Sequence, residues 1–150
     1  MTLTADAPLI ILALPFASFL TLALLPPLRR SGRPAAVVSI GAITVALVLA
    51  LSVWSTGTTV EAHWSWIPAD GGPIATVGLL VDRISATMLV LVTLVSTLVQ
   101  IYSLAYLAEE PPRSLGRYYA YQSLFAWSML GLVVAPGFLQ MFVFWELVGL

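Results

Sequence analysis

The sequence predicts an all-α polytopic membrane protein: four transmembrane helices plus the start of a fifth, with a small extramembrane β-hairpin between helices 2 and 3. Three observations carry this expectation. First, 60% of the 150 residues are apolar and only 9% are charged, against about 25% charged in soluble domains; the mean hydropathy is +1.01. Second, apolar segments recur at close to the about 20 residues that a spanning helix needs. Third, a stretch rich in glycine and proline, with a two-residue alternation inside it, separates the second segment from the third. Too few charges remain to cover the surface of a soluble enzyme domain, and the chain is too apolar for a disordered one. A net charge of −1 offers no basic face to nucleic acid. With no cysteine and a single histidine, thiolate metal sites, iron–sulfur clusters and disulfides are excluded. All basic residues are arginine, a bias consistent with a GC-rich bacterial coding sequence.

The first span is expected over 7–25, interrupted near its middle by Pro15 and stopped by Pro26 and Pro27. A secretory signal peptide fits poorly, because the residues before the apolar run hold Asp6 and no basic side chain, and Arg29, Arg30 and Arg33 come after it. The second span, 34–54, has no charge and ends at Trp54, an aromatic suited to a membrane interface. From Ser55 to Val81 the pattern changes. Val60, Ala62, Trp64 and Trp66 alternate with Glu61, His63 and Ser65, the period of a strand. A second extended run, Ile74 to Val81, follows the Pro68–Pro73 turn. The two form the hairpin, with its tryptophans expected at headgroup level.

The third span, 84–107, is preceded by Asp82, which can cap the free N–H groups of its first turn. Thr93, Ser96, Thr97, Gln100 and Ser103 recur at three- and four-residue spacing and form a polar stripe. Lipid offers no hydrogen bonds, so the stripe should face other helices. After the Glu109–Arg117 loop comes a fourth span, 118–135, and Pro136–Gly137 turns the chain into a fifth, 138–150. That last segment is shorter than a span, so the sequence is expected to be the N-terminal fragment of a larger membrane domain. Arginines cluster after the first and third spans. The positive-inside rule puts those loops in the cytoplasm and the N-terminus and hairpin outside, across a bacterial inner membrane.

Glu146 is the main candidate for chemistry. It lies about 12 Å along the fifth helix from Phe138, among Phe142, Val143, Phe144, Trp145, Leu147 and Val148. An ionised carboxylate there needs a basic partner or water, so a nearby charge can switch its protonation, as a proton carrier requires. Asp82 reads as a helix cap, with Arg83 beside it placed to pair with it or to reach headgroups. Asp82, Thr93, Ser96, Thr97 and Gln100 are possible supporting polar residues. Glu109 and Glu110 read as a solvated face with Arg113 and Arg117, and His63 as a surface histidine. No phosphate loop, nucleophile elbow or metal-ligand spacing is present.

Val81–Leu89, Ile101–Leu107 and Arg117–Leu130 resemble successive helix segments of the antiporter-like subunits of respiratory complex I. Phe144-Trp145-Glu146-Leu147-Val148-Gly149-Leu150 is similar to their tryptophan–glutamate signature, and its ending, like the Trp64-Ser65-Trp66 hairpin, resembles the subunit L (chain 5) branch. Ala135-Pro136-Gly137-Phe138 departs from the turn usual before that helix. The resemblance implies a proton-translocating membrane subunit of NADH–quinone oxidoreductase, with Glu146 as the acidic half of a glutamate–lysine pair. The lysine belongs to a later helix, since this sequence has none. It also implies that the redox chemistry and every cofactor reside in other subunits. Expected partners are other membrane subunits, the lipid bilayer and protons, and no nucleic acid. A cation/proton antiporter subunit, a bicarbonate-uptake subunit and a structural membrane anchor are the alternatives.

Overall fold

A computed structural model describes residues 3–67 and 75–149. In chain order the elements are α1 (Leu3–Leu24), α2 (Pro26–Arg29), α3 (Gly32–Thr56), β1 (Val60–Ile67), β2 (Ala75–Val81), α4 (Arg83–Tyr106), α5 (Pro112–Val133) and α6 (Phe138–Val148). Helices dominate, and α1, α3 and α4 are long and apolar enough to cross a bilayer. The 22-residue α5 carries Arg113, Arg117, Tyr118, Tyr119, Tyr121 and Gln122 and is correspondingly more polar. The apolar α6 has 11 residues, about 16 Å of helix.

Two expectations about helix limits need correction. Pro15 does not interrupt the first helix, since α1 runs unbroken through both Pro8 and Pro15. A proline removes one N–H and frees one carbonyl, and packing against neighbouring helices holds the course of the chain; both proline side chains are fully buried. At the other end, residues 112–117 are not loop but the first turns of α5. Pro112 suits that start, because the first N–H groups of a helix have no intrahelical partner to lose.

α3 lies at the centre, against α1, α4 and α5. Apart from Ala35, its buried positions form two interleaved seven-residue series, Gly32, Ser39, Ala46 and Val53, and Ala36, Ile43 and Ala50. Mostly small side chains on this stripe let the neighbouring backbones approach closely, which is how helices pack where lipid removes the hydrophobic drive. One apolar core, including Ile43, Leu89, Ala126 and Leu130, extends to Leu79 and Val81 of the hairpin. A smaller one, around Leu22, Ala35, Ala36 and Tyr119, closes the other end.

β1 and β2 pair antiparallel from Val60↔Val81 to Ile67↔Ala75, with an irregularity between Ser65 and Ile67. The Pro68–Pro73 turn and Ile74 lie outside the described residues. Leu79 and Val81 point into the core, while Trp64 and Trp66 are exposed. The hairpin docks on the helices through the Leu80 N–H, which donates to the Val134 carbonyl at 2.9 Å. The hairpin stands at one end of the bundle. Arg29, Arg30, Arg113 and Arg117 surround one hollow at the other.

Candidate functional site

Glu146 is positioned by the way α6 is anchored. Two residues one turn apart, Gln140 and Phe144, fix the helix. The Gln140 side chain accepts from the Gly78 N–H at 2.8 Å and donates to the Gly78 carbonyl at 3.0 Å. Phe144 stands edge-on to Trp127, ring centroids 5.2 Å apart, and Trp127 in turn stacks on Phe16 of α1 at 4.4 Å. The ring of Phe144 fits because position 131 is glycine; a Cβ there would lie 2.3 Å from the ring. Leu147 and Val148 continue this face and, with Tyr118, Tyr121, Gln122, Leu124 and Phe125, line an open groove of about 580 Å³ against α5.

Glu146 is two residues beyond Phe144, about 200° around the helix. It therefore lies on the face turned away from α5, and its side chain is exposed. Among the described residues it forms no ion pair. The same holds for Asp82 and Arg83 with each other, and for Glu109, Glu110, Arg113 and Arg117, all exposed; on the hairpin, His63 Nε2 is hydrogen-bonded to Glu61 Oε1 at 2.6 Å.

Asp82 caps α4, with its Oδ1 accepting from the Ser85 N–H at 2.7 Å. That bond, with help from the Ser85 hydroxyl, holds the carboxyl below its ordinary value of 3.8. The polar stripe of α4 divides in two. Thr93 and Thr97 are buried but satisfied by their own helix, donating to the carbonyls of Leu89 and Thr93 at 2.7 Å each. Ser96 is half-buried. Gln100 and Ser103 reach other helices.

Gln100 belongs to a four-helix polar cluster. The Ser39 hydroxyl of α3 donates to Gln100 Oε1 at 2.8 Å. Ser39 also bonds Ser123 of α5 at 2.7 Å, and Ser123 bonds Ser18 of α1 at 3.0 Å. The Tyr119 hydroxyl donates to the Gln100 carbonyl at 3.1 Å. The geometry allows one continuous direction, Ser18 to Ser123 to Ser39 to Gln100, in which Ser18 donates and Ser123 and Ser39 each accept once and donate once. A second set joins Ser103 to Tyr118 at 2.7 Å and Gln122 to Tyr118 at 3.0 Å. No buried side-chain polar atom among the described residues is left without a partner. Serine and glutamine do not titrate near neutrality, so the cluster ties helices together and holds no charge.

Sequence reasoning missed Ser18, Ser39, Ser123 and Gln140. Lone serines in alanine- and valine-rich helices carry no periodic pattern. Gln140 had a signal, as the amide inside the apolar run Phe138–Val148. The structure does not bring Glu146 to the α4 stripe.

Residues 66–119 match the model of the family described as NADH–ubiquinone oxidoreductase (complex I), chain 5 N-terminus. That segment runs from β1 into α5 and stops short of Glu146. The chain is 44% identical over 119 residues to NAD(P)H-quinone oxidoreductase subunit 5 of the Zygnema circumcarinatum chloroplast, covering 77% of this chain and 16% of that protein. It is 53% identical over 73 residues to NAD(P)H-quinone oxidoreductase chain 5 of Synechocystis, covering 49% and 10%. With the Adiantum capillus-veneris chloroplast subunit 5 it shares 48% identity over 87 residues, covering 58% and 12%. The chain thus spans a small part of the length of each of these relatives.

Proposed function

Because the chain belongs to the complex I chain 5 (subunit L) family, whose N-terminal region it matches, we propose that it is the N-terminal part of a proton-translocating membrane subunit of NADH–quinone oxidoreductase. In this reading α5 is a fourth span and α6 the start of a fifth. The N-terminus and hairpin face the outside of a bacterial inner membrane, and the arginine end faces the cytoplasm. The redox chemistry and its cofactors belong to other subunits, and this chain handles protons.

The observation that carries the reading is Glu146, a carboxylate on an apolar helix whose opposite face is clamped to α5 and the hairpin. An exposed acid on the outward face of such a helix is available to a basic side chain or water from elsewhere in the full subunit. Such a partner favours the charged form and hydrocarbon disfavours it, so small changes in nearby charge move the proton on and off. Asp82, Thr93, Ser96, Thr97 and Gln100 support this role by fixing the α4 wall rather than by carrying protons.

The test is Glu146→Gln in the complete complex, with quinone reduction and proton movement measured together in membranes of matched complex content. Gln keeps the shape and hydrogen-bonding capacity but holds no titrating charge. Assembly is expected to persist while proton movement falls by about 100-fold or more, the low end of what a positioned proton-transfer group contributes. Glu146→Asp keeps the charge on a shorter arm and is expected to lose less. Wild-type pumping stoichiometry in the Gln variant would leave Glu146 as a structural group.

A further inference from the structure

At the end of the molecule opposite the hairpin, Arg29, Arg30, Arg113 and Arg117 line one hollow of about 440 Å³. Backbone packing sets this gathering. Position 116 is glycine, and a Cβ there would lie 1.9 Å from the Arg29 carbonyl oxygen. The end of α2 therefore rests directly on the first turns of α5 and brings Arg29 and Arg30 beside Arg113 and Arg117. Four like charges around one hollow repel one another unless an anion sits among them. No acidic side chain of the described residues fills that place: none of the four arginines is in an ion pair, and Glu109 and Glu110 on the approach to α5 are exposed and unpaired.

The hollow continues into a second one of about 220 Å³, lined by Phe19, Ala23, Arg29, Arg117, Ala120 and Tyr121. Arg29 and Arg117 border both. The second hollow runs between α1 and α5, and its remaining lining is mostly apolar. A cationic pocket opening into an apolar groove along spanning helices has the amphipathic shape of a lipid. A free phosphate would fill the first hollow and leave the second empty.

We propose that Arg29, Arg30, Arg113 and Arg117 bind the phosphate of an anionic phospholipid whose acyl chain lies in the groove between α1 and α5. Guanidinium groups suit this, since each presents a planar fork of donors to phosphate oxygens. The inference rests on membrane placement of α1 and α5 and not on any role of Glu146.

The experiment uses the full subunit within its purified, delipidated complex in detergent. Dioleoylphosphatidylglycerol, dioleoylphosphatidylcholine and inorganic phosphate are titrated separately, with bound lipid read by native mass spectrometry and protection read from the unfolding temperature. The phosphatidylglycerol is expected to bind and protect at much lower concentration than the phosphatidylcholine, with inorganic phosphate giving little protection. Arg29→Gln with Arg117→Gln should weaken phosphatidylglycerol binding by about 30-fold, at about 1 kcal/mol for each arginine near the membrane surface. Arg29→Lys with Arg117→Lys keeps the charge but loses the forked donors, and should bind more tightly than the Gln pair and less tightly than the arginines. Ala23→Leu fills the groove without touching the charges, and should weaken the lipid while leaving the phosphate response as it was. If the Gln pair fails to assemble, the Lys pair and Ala23→Leu carry the test. Equal binding of the two lipids, full protection by phosphate alone, or no effect of the Gln pair or of Ala23→Leu would overturn the proposal.

Discussion

Ser39 sits where α3 meets Gln100 and Ser123, and its hydroxyl serves both. Ser39→Ala removes one small group but leaves the buried Gln100 Oε1 without its donor and Ser123 with Ser18 as its side-chain partner. A loss of about 1–2 kcal/mol is expected, since stranding a buried acceptor costs more than a bond gains. Unfolding of the purified protein in detergent measures it, and Ser39→Ala with Ser123→Ala should lose less than the sum of the single changes, because the Ser39–Ser123 bond is lost in each single change and is counted once in the double. Asp82 makes a pH-dependent contribution. Its carboxyl in the folded protein titrates below the ordinary 3.8 because the charged form accepts from Ser85. As pH falls, the unfolded chain takes up the proton first, so the stabilisation is present above the ordinary value and is lost as pH drops through the depressed one. Asp82→Asn keeps a capping acceptor without a titration. The acid limb of the unfolding profile, between about pH 2 and pH 5, should flatten in that variant; an unchanged limb would remove Asp82 as its source.

At the scale of the element, α6 shows how one missing Cβ positions a helix. Gly131→Ala would put a methyl carbon 2.3 Å from the Phe144 ring, and the ring must leave its place beside Trp127. Overpacking of this kind costs about 1–3 kcal/mol. The change should appear in Trp127 fluorescence and in the unfolding temperature. Adding Phe144→Ala should recover part of the loss, because the clash needs both groups. Little of this was legible in the sequence. The apolar run of α6 was plain from hydropathy, but its rotation depends on Gly131 and Gly78, which are distant in the chain. Elements whose cause is local were readable: the Asp82 cap, the β1 alternation and the apolar length of α3 and α4. The seven-residue stripe of small residues in α3 was also present in the sequence, although a count of apolar residues does not distinguish alanine from leucine. The first turns of α5 escaped because charges and prolines dominate 109–117, where hydropathy reads a loop. The facing of Glu146 escaped because a spacing rule gives its depth along the helix and leaves its direction open until the anchor residues are known.

For the whole molecule, the hairpin and the arginine cluster mark opposite ends, which makes the orientation testable with two cysteines. In intact cells, an impermeant thiol reagent should label Thr58→Cys beside the hairpin and leave Ser114→Cys at the head of α5 untouched. The reverse pattern would invert the topology. The two bonds of Gln140 to Gly78 have a wider consequence. A single contact limits how far apart two bodies can move, but a pair of bonds from one planar amide to the N–H and C=O of one residue also limits their relative angle. The hairpin therefore acts as a keyway for α6. Turning the helix by one residue's step, about 100°, would shear both bonds at once and drag Phe144 from beside Trp127. With that axle locked, Glu146 can change what it faces only by swinging its own side-chain torsions, so the proton hand-over we propose for it would be a movement of one arm on a stationary shaft.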